Sequence, residues 1–132
     1  MKTLLTTLAL LSLIVVLFAA CGGSSSVTGN DSGDPHSMTL HMNDTNFVQN
    51  SITLPKGSSL TLVNDSAVIH IIQNGLWDKS GNPKPGREAG APMVQVQFTA
   101  HNSQTIGPFN ASGTYHLFCT IHPKMTLTVI VQ

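Results

Sequence analysis

The stretch GTYHLFCTIHPKMTLTVIV, residues 113–131, places a short loop with three potential metal ligands between two β-strand patterns. On both sides of the loop, apolar residues recur at every second position, as they do in strands that bury one face. They are Tyr115, Leu117 and Cys119 before the loop and Met125, Leu127, Val129 and Val131 after it. Cys119, His122 and Met125 follow one another at intervals of three, so a tight loop at a strand end can point all three at one centre. The stretch therefore predicts two strands joined by a metal-binding loop.

Alternation with period two continues through most of the chain from residue 38 onward. It predicts strands at 38–42, 52–54, 60–62, 67–72, 94–98, 115–119 and 125–131. Seven or eight short strands, with turns between them and no normal amphipathic helix, predict an all-β Greek-key sandwich or barrel of about eight strands. Residues 74–92 are rich in Gly and Pro and lack this period. We expect a long loop there, with at most a helical turn at 76–79, and loops of that length often have a function.

The N-terminal segment has the features of a secretion signal. Lys2 precedes a long apolar run that ends in small residues within residues 1–20. The letters FAAC, residues 18–21, resemble the lipobox of bacterial lipoproteins, although Phe18 replaces the usual Leu. The resemblance implies that Cys21 is lipidated and becomes the mature N-terminus. An uncleaved transmembrane anchor and ordinary secretion with a free Cys21 are the alternatives.

The chain thus divides into three parts. Residues 1–20 are the predicted signal peptide, residues 21–36 are the lipidated cysteine with a Gly/Ser-rich flexible linker, and residues 37–132 are one folded domain. The lipoprotein interpretation locates the domain outside the cytoplasm, anchored to the outer face of the cell membrane. Six basic and six acidic residues cancel, which gives no indication of a nucleic-acid partner. We expect a monomer.

Cys119 needs an explanation, because it has no disulfide partner within the chain if Cys21 carries lipid. A lone thiol outside the cytoplasm requires either burial or a metal. Thiolate, imidazole and thioether form a soft ligand set that suits copper. His70 is the candidate for a second imidazole, because an unpaired polar ring in an apolar segment costs free energy. A satisfied core histidine, or half a zinc site formed by Cys119 and His122, remain the alternatives.

These residues together resemble the cupredoxins, the small blue copper proteins, over most of residues 38–132. The stretch 113–131 is similar to their G-x-Y-x-x-x-C-x-x-H-x-x-M pattern, most closely in the amicyanin and then the plastocyanin group. GSSLTLVNDSAVIHII, residues 57–72, is similar to the segment that bears the first histidine. The resemblance implies an eight-stranded Greek-key sandwich that transfers single electrons through one copper ion. It also implies four copper ligands, His70, Cys119, His122 and Met125.

Two departures from the family pattern concern residues next to the ligands. The family usually has Asn after the first histidine, where its side chain joins the two ligand segments; here the residue is Ile71, and Thr120 is the candidate to join them instead. Ile121 stands where the related groups have Pro, so it keeps a backbone N–H. The resemblance implies that this N–H points at the Cys119 sulfur.

Apolar loop residues near the predicted ligands suggest a docking surface. In the family, an apolar patch around the exposed histidine lets a redox partner approach closely. Pro108, Phe109, Ile121 and Pro123 are the candidates for such a patch around His122. Ordinary loop packing is the alternative for all four.

The leading functional prediction is a membrane-tethered electron carrier that shuttles single electrons between a donor and an acceptor protein. The alternatives are an extracytoplasmic copper chaperone or storage protein, and an interaction module without metal. We expect no enzyme, because four protein ligands leave no open position on the metal for a substrate.

Overall fold

The computed structural model describes residues 36–132, which form β-strands connected by turns and loops. The strands are β1 Ser37–Met42, β2 Ser51–Leu54, β3 Ser59–Asn64, β4 His70–Trp77, β5 Pro83–Pro85, β6 Gln95–Phe98, β7 Ser103–Ile106, β8 Gly113–Cys119 and β9 Thr126–Val131. Within this described part of the chain there is no helix, and so none that is long and apolar enough to cross a membrane. The predicted signal peptide, Cys21 and the linker up to residue 35 lie outside the described residues.

The strands form two sheets. In the first, β3 lies between β1, to which it is parallel, and β7, to which it is antiparallel. The second has the order β2-β9-β8-β4-β5, and β6 also pairs with β4. β4 and β8 are neighbours although they are far apart in sequence, so the start of β4 lies beside the end of β8. This pairing brings His70 and Cys119 to the same end of the sheet.

Residues from both sheets share one hydrophobic core. Leu40 and Leu62 from the first sheet and Ile72, Leu117 and Leu127 from the second belong to a single buried cluster. They occupy the alternating positions that the sequence pattern assigns to the core. The predicted all-β sandwich is therefore confirmed, with nine strands rather than about eight.

Two predicted local elements differ from the structure, and two strands were not predicted. The predicted strand 67–72 begins only at His70, and Val68 and Ile69 are exposed in the bend that precedes it. β5 and β7 were not predicted, because β5 has three residues and β7, SQTI, carries one apolar side chain. The helical turn at 76–79 is wrong, since β4 continues to Trp77 and a turn follows.

Residues 75–85 form a strap across the outer face of β8. The end of β4 and the short β5 pair as a hairpin, with Gly75 opposite Pro85. A Cβ atom added to Gly75 would lie 2.9 Å from Cε1 of Phe118, so the strap passes directly over that ring. Phe118 occupies an outward position between Leu117 and Cys119, yet its exposure is 0%. The Gly- and Pro-rich segment thus covers a second, smaller apolar contact outside the main core.

Candidate metal centre

Three potential ligand atoms converge at one end of the sandwich. The Cys119 sulfur lies 3.8 Å from Nδ1 of His70 and 3.4 Å from Nδ1 of His122, and the two nitrogens are 3.1 Å apart. The point equidistant from these atoms lies about 2.0 Å from each, and metal bonds to imidazole nitrogen and thiolate sulfur measure about 2.0–2.3 Å. The three side chains therefore form a triangle of the right size for one metal ion.

The elements that carry the ligands explain this convergence. His70 opens β4 and Cys119 closes β8, and the register pairs Ile72 with Cys119. The loop from Cys119 to Met125 is closed by two backbone hydrogen bonds, from the Cys119 N–H to the Met125 carbonyl at 3.0 Å and from the Met125 N–H to the His122 carbonyl at 3.2 Å. Pro123 and Lys124, with a φ of +67° at Lys124, form the tight turn between His122 and Met125. The turn directs the His122 ring back toward the sheet.

Met125 is positioned as the fourth ligand. It is bonded through its backbone to both Cys119 and His122, and its side chain is buried, with 1% exposure. It directly precedes β9, where alternation points it into the interior. Two imidazoles, one thiolate and one weak thioether are the donor set of type 1 copper sites. The residues present therefore fit copper.

Burial determines the protonation of His70. It lowers the pKa of His70 below its ordinary value of 6.5, and the nearby His122 lowers it further, while the Asn43 carbonyl and Asp44 act in the opposite direction. The buried Nε2 of His70 has no hydrogen-bond partner of ordinary geometry among the described residues, so burial and His122 outweigh the opposite effect of the Asn43 carbonyl. The net effect favours the neutral imidazole, the form that binds a metal.

A backbone hydrogen bond joins the two ligand segments. The Thr120 N–H donates to the Ile71 carbonyl at 2.9 Å. This main-chain bond joins the two segments in place of the Asn side chain that is missing here. The predicted hydrogen bond from the Ile121 N–H to the Cys119 sulfur is not found among the described residues. The contacts of that sulfur are with the two imidazoles, and the Ile121 side chain is exposed.

The predicted docking patch is only partly located near the ligands. Ile121 and Pro123 are exposed in the ligand loop beside His122. Phe109 was wrongly assigned, because it is fully buried and packs against Tyr115 with ring centroids 6.1 Å apart.

Pro108 was also wrongly assigned to the patch. It is exposed, but it adjoins Phe109, whose N–H donates to the Ser58 carbonyl just before the start of β3. Both residues also precede β8, whose far end carries Cys119. Pro108 and Phe109 therefore lie at the Gly113 end of this seven-residue strand, roughly 20 Å from the ligands at its Cys119 end.

Two residues near the site were missed by the sequence analysis. Asn64 is buried at the end of β3, and its side-chain NH2 donates to the carbonyls of Val68 and Thr99 at 2.8 and 2.9 Å. It thereby holds the bend that leads into His70. One feature of the sequence could have identified Asn64. It follows Leu60 and Leu62 at the next inward position of the strand, where a polar side chain requires hydrogen-bond partners.

The second is Trp77, which lies in the segment 74–92 that the sequence predicted to be a long loop. Its indole Nε1–H donates to the Cys119 carbonyl at 3.0 Å, and its ring contacts Phe118 edge-on. The strap therefore reaches a metal-ligand residue directly, which the sequence pattern could not indicate.

The fold of the described domain is shared with solved copper-protein structures. A purple cupredoxin from Nitrosopumilus maritimus superposes with a TM-score of 0.55 at 18% identity, covering 71% of this chain and 98% of that chain. Amicyanin from Paracoccus versutus gives a TM-score of 0.56 at 19% identity, covering 76% and 86%. An amicyanin variant described in its Cu(I) state gives 0.52 at 17% identity, covering 76% and 87%. No family model and no curated relative matches the chain.

Residues 36–132 thus have the cupredoxin fold, and the predicted resemblance is confirmed at the level of the fold. The His–Cys–His cluster lies at one end of that fold, with Met125 adjacent in the same loop.

Proposed function

We propose that this protein is a type 1 copper protein that carries single electrons between a donor and an acceptor protein. The observation that carries the proposal is the convergence of His70, Cys119 and His122 around one point at metal-bond distance, with Met125 buried beside them. Copper bound there would supply reversible one-electron chemistry between Cu(I) and Cu(II). No position is left for a substrate on a metal with four protein ligands, so the proposed role is transport rather than catalysis.

The protein's own part is to keep the ligand positions unchanged during electron transfer. His70 and Cys119 are fully buried, so water is excluded from one side of the site. Cys119, Met125 and Thr120 are fixed by backbone hydrogen bonds within the loop and to β4. Ligands that do not move when the charge of the metal changes keep the reorganisation energy small, which favours rapid exchange.

His122 is the proposed exit for the electron, because it is the ligand that is partly exposed. Exposed apolar residues adjoin the ligands in sequence on both segments: Val68 and Ile69 before His70, and Ile121 and Pro123 around His122. Such a surface fits a redox partner with an apolar contact face that brings its own centre close to the imidazole edge.

A copper chaperone or store is the alternative, and the burial of the ligands argues against it. Rapid hand-over of the metal requires that an incoming ligand can reach it, whereas His70 and Cys119 have 0% exposure. The experiment is to load the protein with copper and measure both its electron self-exchange and its transfer of Cu(I) to a chelator. An electron carrier should exchange electrons rapidly and release copper slowly, and the opposite pair of results would support the chaperone.

The docking surface can be tested with a matched pair of variants. Ile121→Lys places a charge beside His122, and Met38→Lys places the same charge at an exposed apolar position at the start of β1. Repulsion between two copies should slow self-exchange in Ile121→Lys and leave it nearly unchanged in Met38→Lys. Equal rates in both variants would mean that electrons do not leave near Ile121.

We also propose that lipid on Cys21 anchors the domain at the outer face of a membrane. The support is the FAAC sequence after an apolar run, followed by a Gly/Ser-rich linker. Cys21→Ser should accumulate as an unprocessed precursor without lipid, whereas Cys119→Ala, the control at the other cysteine, should be processed normally. Normal maturation of Cys21→Ser would refute the anchor and leave the copper proposal intact.

A further inference from the structure

Trp77 is the only tryptophan of the chain, and its side chain is bonded to a proposed copper ligand. We propose that Trp77 is a positioning residue for the metal centre, which holds the Cys119 carbonyl and thereby fixes the direction of the Cys119 sulfur. The metal-binding part of this inference rests on the proposed function. Its structural part concerns the metal-free protein and stands independently.

The peptide groups around Cys119 are restrained from three sides. The Cys119 N–H donates to the Met125 carbonyl at 3.0 Å, and the Thr120 N–H donates to the Ile71 carbonyl at 2.9 Å. The Cys119 carbonyl accepts the indole N–H of Trp77 at 3.0 Å. Two of these restraints are backbone bonds within the sheet and the ligand loop. The indole bond is the one restraint of the three that depends on a side chain, so it is the one that an amino-acid substitution can remove.

Trp77 is itself firmly held. Its backbone N–H donates to the Thr126 hydroxyl at 3.4 Å, which ties the strap to the first residue of β9. Its ring stands edge-on to Phe118, with centroids 5.9 Å apart and an interplanar angle of 89°. The strap can cross this closely because Gly75 has no side chain. The indole therefore approaches Cys119 from a rigid support rather than from a mobile loop.

Packing alone does not account for this arrangement. A phenylalanine at position 77 would also present an aromatic ring to Phe118, but it has no N–H to reach the Cys119 carbonyl. A ligand held at its binding geometry before the metal arrives loses less freedom on binding. Removal of the indole N–H should therefore weaken metal binding specifically, in addition to any loss of stability.

The decisive comparison uses two substitutions that each remove one hydrogen bond from an aromatic side chain to a backbone carbonyl. Trp77→Phe removes the bond to Cys119. Tyr115→Phe, the control, removes the bond from the Tyr115 hydroxyl to the Ala111 carbonyl at 2.7 Å, together with its longer contact to the Ser112 carbonyl at 3.4 Å; both carbonyls lie toward the opposite end of β8. Both should lower the stability of the metal-free protein. Only Trp77→Phe should speed the release of Cu(I) to a chelator, by about fivefold, the factor that corresponds to a hydrogen bond of ordinary net strength.

A second measurement needs no metal. In the metal-free protein, Trp77→Phe should speed hydrogen exchange of the Thr120 amide by more than its loss of global stability accounts for, and Tyr115→Phe should not. If Trp77→Phe does not fold, benzothienylalanine can replace the single tryptophan biosynthetically, because it keeps the ring shape and has sulfur in place of the N–H.

The outcomes separate the two proposals. Unchanged copper release and unchanged Thr120 exchange, in a folded protein that lacks the indole N–H, would reduce Trp77 to a packing residue and overturn the inference. A native protein that binds no copper would refute the proposed function, and Thr120 exchange would then decide the role of Trp77 alone.

Discussion

The crossing of the strap over β8 depends on Gly75, and Gly75→Ala tests it. Gly75 has a φ of +128°, in the region that L side chains rarely adopt. A Cβ atom there would overlap the Lys84 carbonyl oxygen and lie 2.8 Å from Cα of Pro85 and 2.9 Å from Cε1 of Phe118. Two of these contacts are backbone atoms of the paired strand β5, so they cannot move without breaking the hairpin.

The expected cost has two parts. A left-handed conformation costs a residue with a side chain about 1–2 kcal/mol. Overpacking adds about 1–3 kcal/mol, so Gly75→Ala should lower the free energy of unfolding by about 2–5 kcal/mol. Gly81→Ala is the control, because Gly81 has a φ of +81° in the same strap but no atom within 4 Å of the added Cβ. It should show the conformational cost alone.

Chemical denaturation of the metal-free protein measures both variants. We expect Gly75→Ala to lose clearly more stability than Gly81→Ala, and to expose Trp77 as judged by a red-shifted fluorescence spectrum. Equal losses in the two variants would refute the close crossing of the strap. A larger loss in Gly81→Ala would mean that the turn at the tip, rather than the contact with Phe118, holds the strap.

Two further predictions concern the supports of the site. Asn64→Ala should lower the free energy of unfolding by about 3 kcal/mol, because the buried amide donates to the Val68 and Thr99 carbonyls and accepts from the Ser66 N–H; a loss well below this in chemical denaturation would contradict that role. The Asn82 backbone N–H holds the pKa of Asp78 below its ordinary value of 3.8. The stability from this lowered pKa is therefore present above pH 3.8 and lost as the pH falls through the folded-state value. Trp77 fluorescence should report this acid transition, and its persistence in Asp78→Asn would exclude Asp78 as the cause.

The main strands could be predicted because burial and sequence period agree in them. Tyr115, Leu117 and Cys119 alternate in the sequence and are all buried, as are Met125 and Leu127 across the ligand loop. The ligand spacing in this loop is local, so the sequence indicates it directly. His70 was identified through its apolar surroundings, although the strand starts at His70 itself rather than before it.

The strap could not be predicted, because its burial comes from contacts distant in sequence. Phe118 lies at an outward position, where the pattern predicts exposure, and only the return of the chain at Gly75 covers it. Phe109 shows the reverse case. An apolar residue in a loop is compatible with a docking surface or with burial, and only its contact with Tyr115 distinguishes the two.

The most direct test of the central claim is a visible absorption spectrum recorded while Cu(II) is added to the reduced, metal-free protein. If His70, Cys119 and His122 bind copper together, an intense band from thiolate-to-copper charge transfer should grow until one copper is bound per chain. The band should be absent in Cys119→Ala, and it should persist in Tyr115→Phe, which leaves the ligands unchanged. A colourless Cu(II) complex, or a band that survives in Cys119→Ala, would contradict the type 1 copper assignment.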